Sequence, residues 1–143
     1  MRVVLDTNVV VSAFLSPTGT PAQILARWEN QEFDLVVSEP LLLEYQRALN
    51  YKRVAAHHGM SPEEVGEIVE GFRQFALLVE PAETLELPED PDDAKVLECA
   101  VEGSVEYVVS GDAHLLRIHG YRGIMVLSPA VFLSALVQRE AIG

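Results

Sequence analysis

Four acids stand out for what surrounds them: Asp6, Glu44, Asp93 and Asp112. Asp6 closes the apolar run Val3-Val4-Leu5, and Asp112 follows Tyr107-Val108-Val109-Ser110-Gly111. Glu44 and Asp93 fall in stretches with helical spacing between those runs. In an open α/β sheet the functional crevice lies beyond the carboxyl ends of the strands. Carboxylates gathered there repel: two about 5 Å apart cost roughly 3 kcal/mol at an effective dielectric of about 20, against a domain stability of ~5–15 kcal/mol. A divalent cation offsets that repulsion. Ligands that are all hard oxygen suit Mg2+ or Mn2+ rather than Zn2+.

Each residue also has a purely structural reading. Asp6 and Asp112 follow strands and precede helices, where Asp is a common N-cap. Thr7 and Asn8 either orient the Asp6 carboxylate or serve as turn residues. Asp93 falls at the third helical position if Asp90 caps, and an acid there is favoured by the helix dipole. It is spaced three and four residues before Val96 and Leu97, which puts it on the stripe facing the sheet. Asp92 shares that spacing to Val96. Glu44 is mid-helix, on one face with Leu41 and Ala48. Ser110 is able to bond either a bound water or the following turn. His114 and His119 are weaker acid–base candidates, and His57-His58 reads as an exposed helix end.

The elements that must position these residues alternate. Residues 2–5, 34–37, 77–80, 107–110 and 124–127 read as strands. Helices are expected at 9–15, at 21–30 with Thr20 as N-cap and Pro21 first inside, and at 40–51 after Ser38. A basic stretch, 52–58, leads to Gly59. Ser61-Pro62-Glu63-Glu64 is a capping box that opens a helix to about residue 75. Residues 81–89 form a polar loop. A further helix starts at Asp90-Pro91-Asp92-Asp93 and ends with Gly103 at C′. Short and long helices follow at 112–118 and 129–140. Strands alternating with helices imply a parallel sheet covered on both faces. The expected architecture is one α/β domain over residues 1–143, in three α/β/α layers around a mostly parallel sheet of about five strands.

The chain has 143 residues, a net charge of −12 and a calculated pI near 4.6. That balance weighs against tight, static binding of long duplexes, which takes a basic patch. It leaves room for a nuclease that holds phosphate through metal and a few arginines. No apolar run reaches the ~18 residues of a membrane span. The start of the chain is unlike a signal peptide. The one cysteine, Cys99, reads as a small core residue. A cytoplasmic location is expected.

Taken together the motifs resemble those of PIN-domain ribonucleases. More narrowly they resemble the small prokaryotic branch proposed as the toxin half of toxin–antitoxin pairs. The resemblance rests on Val3 through Ala13, Val37-Ser38 through Glu44, Asp90 through Asp93 with Leu97 and Ala100, Val109 through Leu116, and Ile124 through Pro129 with Phe132-Leu133. His114 departs from it, standing where many members carry an additional acid. The resemblance implies an acidic quartet of Asp6, Glu44, Asp93 and Asp112, with Asp92 auxiliary and Thr7, Asn8 and Ser110 in support. It implies one or two Mg2+ or Mn2+ ions and hydrolysis of single-stranded RNA to a 5′ phosphate and a 3′ hydroxyl. Backbone N–H groups at the helix starts after Asp6 and Asp112 would aid phosphate binding. A homodimer and a cognate antitoxin are implied as well. Three alternatives stand beside it. One is a catalytically silent metal- or RNA-binding adaptor; another is a DNA-directed nuclease. The third is a haloacid-dehalogenase-like phosphatase, disfavoured because Asn8 sits where a second Asp is needed.

Overall fold

The computed structural model describes residues 1–86 and 91–142, without the side chains of residues 91, 92, 141 and 142. The Asp90 cap and the Asp92 side chain lie outside the described residues. The strands are β1 (Arg2–Leu5), β2 (Asp34–Ser38), β3 (Leu77–Val79), β4 (Tyr107–Val109), β5 (Gly120–Tyr121) and β6 (Ile124–Leu127). They form one sheet of order β3-β2-β1-β4-β6-β5, parallel except for β5 against β6. Successive strand residues face opposite sides, yet Val3, Val4 and Leu5 are all fully buried. Both faces of the central strand are therefore covered.

The covering helices are α1 (Thr7–Leu15), α2 (Thr20–Glu29), α3 (Glu39–Leu49), α4 (Lys52–His58), α5 (Pro62–Phe75), α6 (Pro91–Glu102), α7 (Ala113–Ile118) and α8 (Pro129–Ile142). Helix α6 packs on β1, β2 and β4. Rings join the other helices: Phe72 of α5 stacks on Trp28 of α2 and meets Tyr45 of α3 edge-on. No single helix among the described residues is long and apolar enough to cross a membrane.

Several boundaries differ from expectation for local reasons. The sheet has six strands because residues 120–125 form a hairpin. Arg122 (φ 49°) and Gly123 (φ 83°) both take positive φ, the geometry of a two-residue I′ turn. Arginine at its first position hid the turn. Helix α2 is capped by Gly19, not Thr20, since the Gln23 N–H donates to the Gly19 carbonyl (3.1 Å). Residues 52–58 form a helix of their own, ended by Gly59 at φ 72°. Helix α6 ends with Ser104, not Gly103, in the left-handed region (φ 49°). Gly103 is needed for closeness instead: a Cβ there would lie 2.6 Å from Val36 Cγ1. The Ser61 capping box, by contrast, is formed as read.

Gly103→Ala should therefore push α6 away from β2 and cost about 1–3 kcal/mol, the usual price of overpacking. Urea denaturation of variant and wild type measures it; an unchanged midpoint would contradict the close approach.

Candidate active site

Strands β1 and β4 are neighbours, and the chain leaves them toward opposite sides of the sheet. A crevice at such a switch point opens beyond their carboxyl ends. Asp6 and Ser110 are the first residues past those ends. The Asp6 N–H still donates to the Val109 carbonyl (2.9 Å), and the Ser110 N–H to Leu127 (3.0 Å), so both backbones stay tied to the sheet.

Asp6 caps α1, its Oδ1 accepting from the Thr7 N–H (2.8 Å). Its Oδ2 accepts from the Ser110 hydroxyl at 2.7 Å. Ser110 is fully buried, and its Oγ in turn accepts the Asp112 N–H (2.9 Å). Asp112 caps α7, its Oδ1 accepting from the His114 N–H (2.7 Å). Both aspartates are thus N-caps, and one buried hydroxyl joins them. Thr7 contributes its N–H; Asn8 is exposed at the second position of α1. His114 and His119 are exposed, with His114 Nδ1 lying 3.2 Å from the Arg117 guanidinium.

Glu44 reaches the same region from α3. Ser38 caps that helix through the Leu41 N–H (3.3 Å). One turn on, the buried Tyr45 hydroxyl donates to the Leu5 carbonyl, pinning α3 to the end of β1 beside Asp6. Burial pushes the Tyr45 phenol well above its usual range, with Cys99 and the negative Asp6 adding to the effect. Glu44 Oε2 accepts from Lys95 Nζ (3.1 Å) of α6 and from Arg47 one turn along α3. Burial alone would raise the Glu44 pKa, but the Lys95 and Arg47 bonds outweigh it and hold the carboxyl below its usual 4.5.

Asp93 lies two residues before Lys95 in the first turn of α6. That helix leads into β4, so its start lies at the carboxyl edge of the sheet. Asp6, Glu44 and Asp93 are all buried, at 7%, 9% and 7% exposure, and Asp112 is half-buried. The structure thus joins Asp6, Ser110 and Asp112 directly, and ties Glu44 to the helix that carries Asp93. Among the described residues, no three His, Cys, Asp or Glu side chains converge closely enough to hold an ion. Asp6, Asp112 and Glu44 each accept from donors of the protein itself. The chemistry of the set still fits a hard cation, being carboxylate oxygen throughout.

Sequence reasoning missed Tyr45 and Lys95. Arg47 was findable as the i+3 partner of Glu44. Lys95 lies 51 residues from Glu44 and meets it only through the fold. Cys99 is a core thiol as expected, pushed up to about 12 by burial despite a bond with Ser38.

A family model described as PIN domain matches residues 2–114, from β1 past Asp112. The chain belongs to the PIN-domain family. Nuclease activity is the activity of that family. This PIN domain is 25% identical over 118 residues to the uncharacterized protein MJ1680 of Methanocaldococcus jannaschii, covering 82% of this chain and 75% of that protein. Its fold matches a chain in the crystal structure of VapBC2 from Rickettsia felis bound to a promoter DNA fragment. The TM-score is 0.60 at 12% identity, covering 90% of this chain and 98% of the other.

Ser110→Ala would remove the bonds to the buried Asp6 carboxylate and to the half-buried Asp112 N–H and should cost about 1–3 kcal/mol in urea denaturation. Glu44 makes stability depend on acid. Its folded pKa is depressed, so its ion pairs stabilise fully above the unfolded value near 4.5 and are lost as the pH falls through the lower folded value. The stability gap between wild type and Glu44→Gln should be constant above about pH 5 and shrink below about pH 4.5. A gap that widened in acid would contradict the pairing.

Proposed function

We propose that the protein is a Mg2+- or Mn2+-dependent endoribonuclease that hydrolyses phosphodiester bonds of single-stranded RNA, working in the cytoplasm as the toxin of a type II toxin–antitoxin pair. The observation that carries this reading is the Asp6–Ser110–Asp112 unit at the mouth of the sheet, inside the segment that matches the PIN domain. The fold likeness to a chain of VapBC2 supports the toxin role and, with it, an antitoxin partner. A homodimer belongs to the same reading.

Asp6, Glu44, Asp93 and Asp112 would hold the ion, with Asp92, Thr7, Asn8 and Ser110 in support. A divalent cation bound there supplies positive charge against the phosphate and makes water a better nucleophile near neutral pH. The chain's own residues prepare the site. Ser110 fixes the Asp6 carboxylate by donating to one oxygen, as the Thr7 N–H does to the other. Lys95 and Arg47 keep Glu44 ionised despite its burial, so it remains an acceptor at neutral pH. Tyr45 holds the helix that carries Glu44 against the end of β1.

Cleavage of single-stranded RNA, titrated with Mg2+ or Mn2+, tests this reading with wild type and Asp6→Asn side by side. Wild type should yield 5′-phosphate ends and stop on EDTA addition. Asp6→Asn should fall to background while keeping its circular dichroism spectrum. A variant cleaving at the wild-type rate would defeat the assignment. Single-stranded DNA and duplexes in the same assay should be cut more slowly than single-stranded RNA.

A further inference from the structure

An acidic nuclease must still hold a polyanion. Most cations of this chain are unsuited to that. Arg27, Arg73 and Arg122 are paired with glutamates, and Arg47 and Lys95 with Glu44. Arg2 and Arg117 donate to backbone carbonyls, and Arg139 is exposed but stands alone on α8 beside Glu140. Lys52 and Arg53 differ. They are adjacent, both are exposed at the start of α4, and neither has a carboxylate partner among the described residues. The surrounding stretch, residues 45–62, contains no acid and also carries His57 and His58. Tyr51, immediately before Lys52, is 53% exposed.

The place of this patch follows from helix geometry. Glu44, Arg47 and Tyr51 are spaced i, i+3 and i+7, which puts them in line on one helical face. Asn50, the C-cap of α3, stays on the right-handed side (φ −89°, ψ −3°), so Tyr51 follows close to that line just past the end of the helix. Seven residues of helix span about 10 Å, a distance bridged by a short run of nucleotides. Helix α4 packs against α1 and α3, the elements that follow Asp6 and carry Glu44. It is also held still. His58 Nδ1 accepts the Met60 N–H (2.9 Å), which leaves Nε2 to donate to the Leu49 carbonyl at the end of α3 (2.7 Å).

The geometry points to Tyr51, Lys52 and Arg53 as a binding platform for single-stranded nucleic acid, feeding the strand along α3 toward Glu44. This rests on the nuclease reading above and adds to it the residues that grip the substrate. Lys52 and Arg53 contact phosphates. Tyr51 offers a face on which a base stacks, the combination by which proteins hold single strands without sequence readout. A duplex keeps its bases stacked inside and gives Tyr51 nothing to bind. The platform therefore selects single strands.

The test is binding of a fluorescein-labelled single-stranded oligouridine to the full chain in EDTA, by anisotropy, over a range of salt. Multiple-turnover cleavage with Mg2+ or Mn2+ runs in parallel. Lys52→Gln with Arg53→Gln should weaken binding about tenfold or more at low salt, and should flatten the slope of log K against log salt by about 1.4, or 0.7 per phosphate contact. Tyr51→Ala should weaken binding about tenfold, and Tyr51→Phe should restore it. In cleavage these variants should raise KM and leave kcat nearly unchanged. Arg122→Gln, an exposed arginine far along the chain, should bind as wild type does. If wild type binds and cleaves but these variants change neither Kd, salt slope nor KM, the platform is overturned and the nuclease reading stands. A patch that serves a protein partner would give that result. If wild type neither binds nor cleaves, both readings fail. All three residues are exposed, so unchanged melting temperatures are expected and exclude misfolding.

Discussion

One hydroxyl holds together two strands and two helices at the edge of this sheet. Ser110 Oγ donates to Asp6, which caps α1, and accepts from the backbone of Asp112, which caps α7. It sits where water has no access, so neither bond has a ready substitute. The two aspartates are consequently not free to drift apart under their own repulsion. The same bonds that end β1 and β4 and start two helices also set the spacing of two candidate ligands. Structural and chemical roles coincide here: each aspartate caps with its Oδ1.

Glu44 presents a different solution to the same electrostatic problem. A buried carboxylate without partners takes up a proton. This one remains charged because Lys95 and Arg47 converge on it from two helices. The pairing also fastens α3 to α6, which brings the start of α6, and so Asp93, to the same edge. In a chain with 22 acids and ten Lys and Arg residues, where each cation goes is a design decision. Many are occupied by glutamates, and the exceptions at the start of α4 are conspicuous for that reason.

Much of this was legible in the residues, and the reason is locality. The Ser38 cap, the Ser61 capping box and the aspartates ending apolar runs involve groups a few positions apart, so their chemistry is written in adjacent letters. The parallel strands showed as continuous apolar runs because both faces are covered. Features that depend on distant contacts stayed hidden. Gly103 looked like a helix terminator, yet it is required by Val36, which no local pattern reveals. Lys95 meets Glu44 across 51 residues, and nothing in its neighbours signals that pairing. The Gly120–Tyr121 strand exists only because Arg122 tolerates an unusual backbone angle. Of the candidate site, the strand-end aspartates were readable from their flanks and Glu44 from its apolar helix face, whereas the Tyr45 and Lys95 bonds that hold Glu44 in place depend on distant contacts.

Cys99 has a practical consequence. Buried in the core and with its thiol pushed up to about 12, it exists almost wholly as the unreactive protonated form near neutral pH. A cysteine introduced on the surface would react with a maleimide dye far faster than Cys99. Fluorophores or spin labels can therefore be attached at chosen positions without first replacing the native thiol.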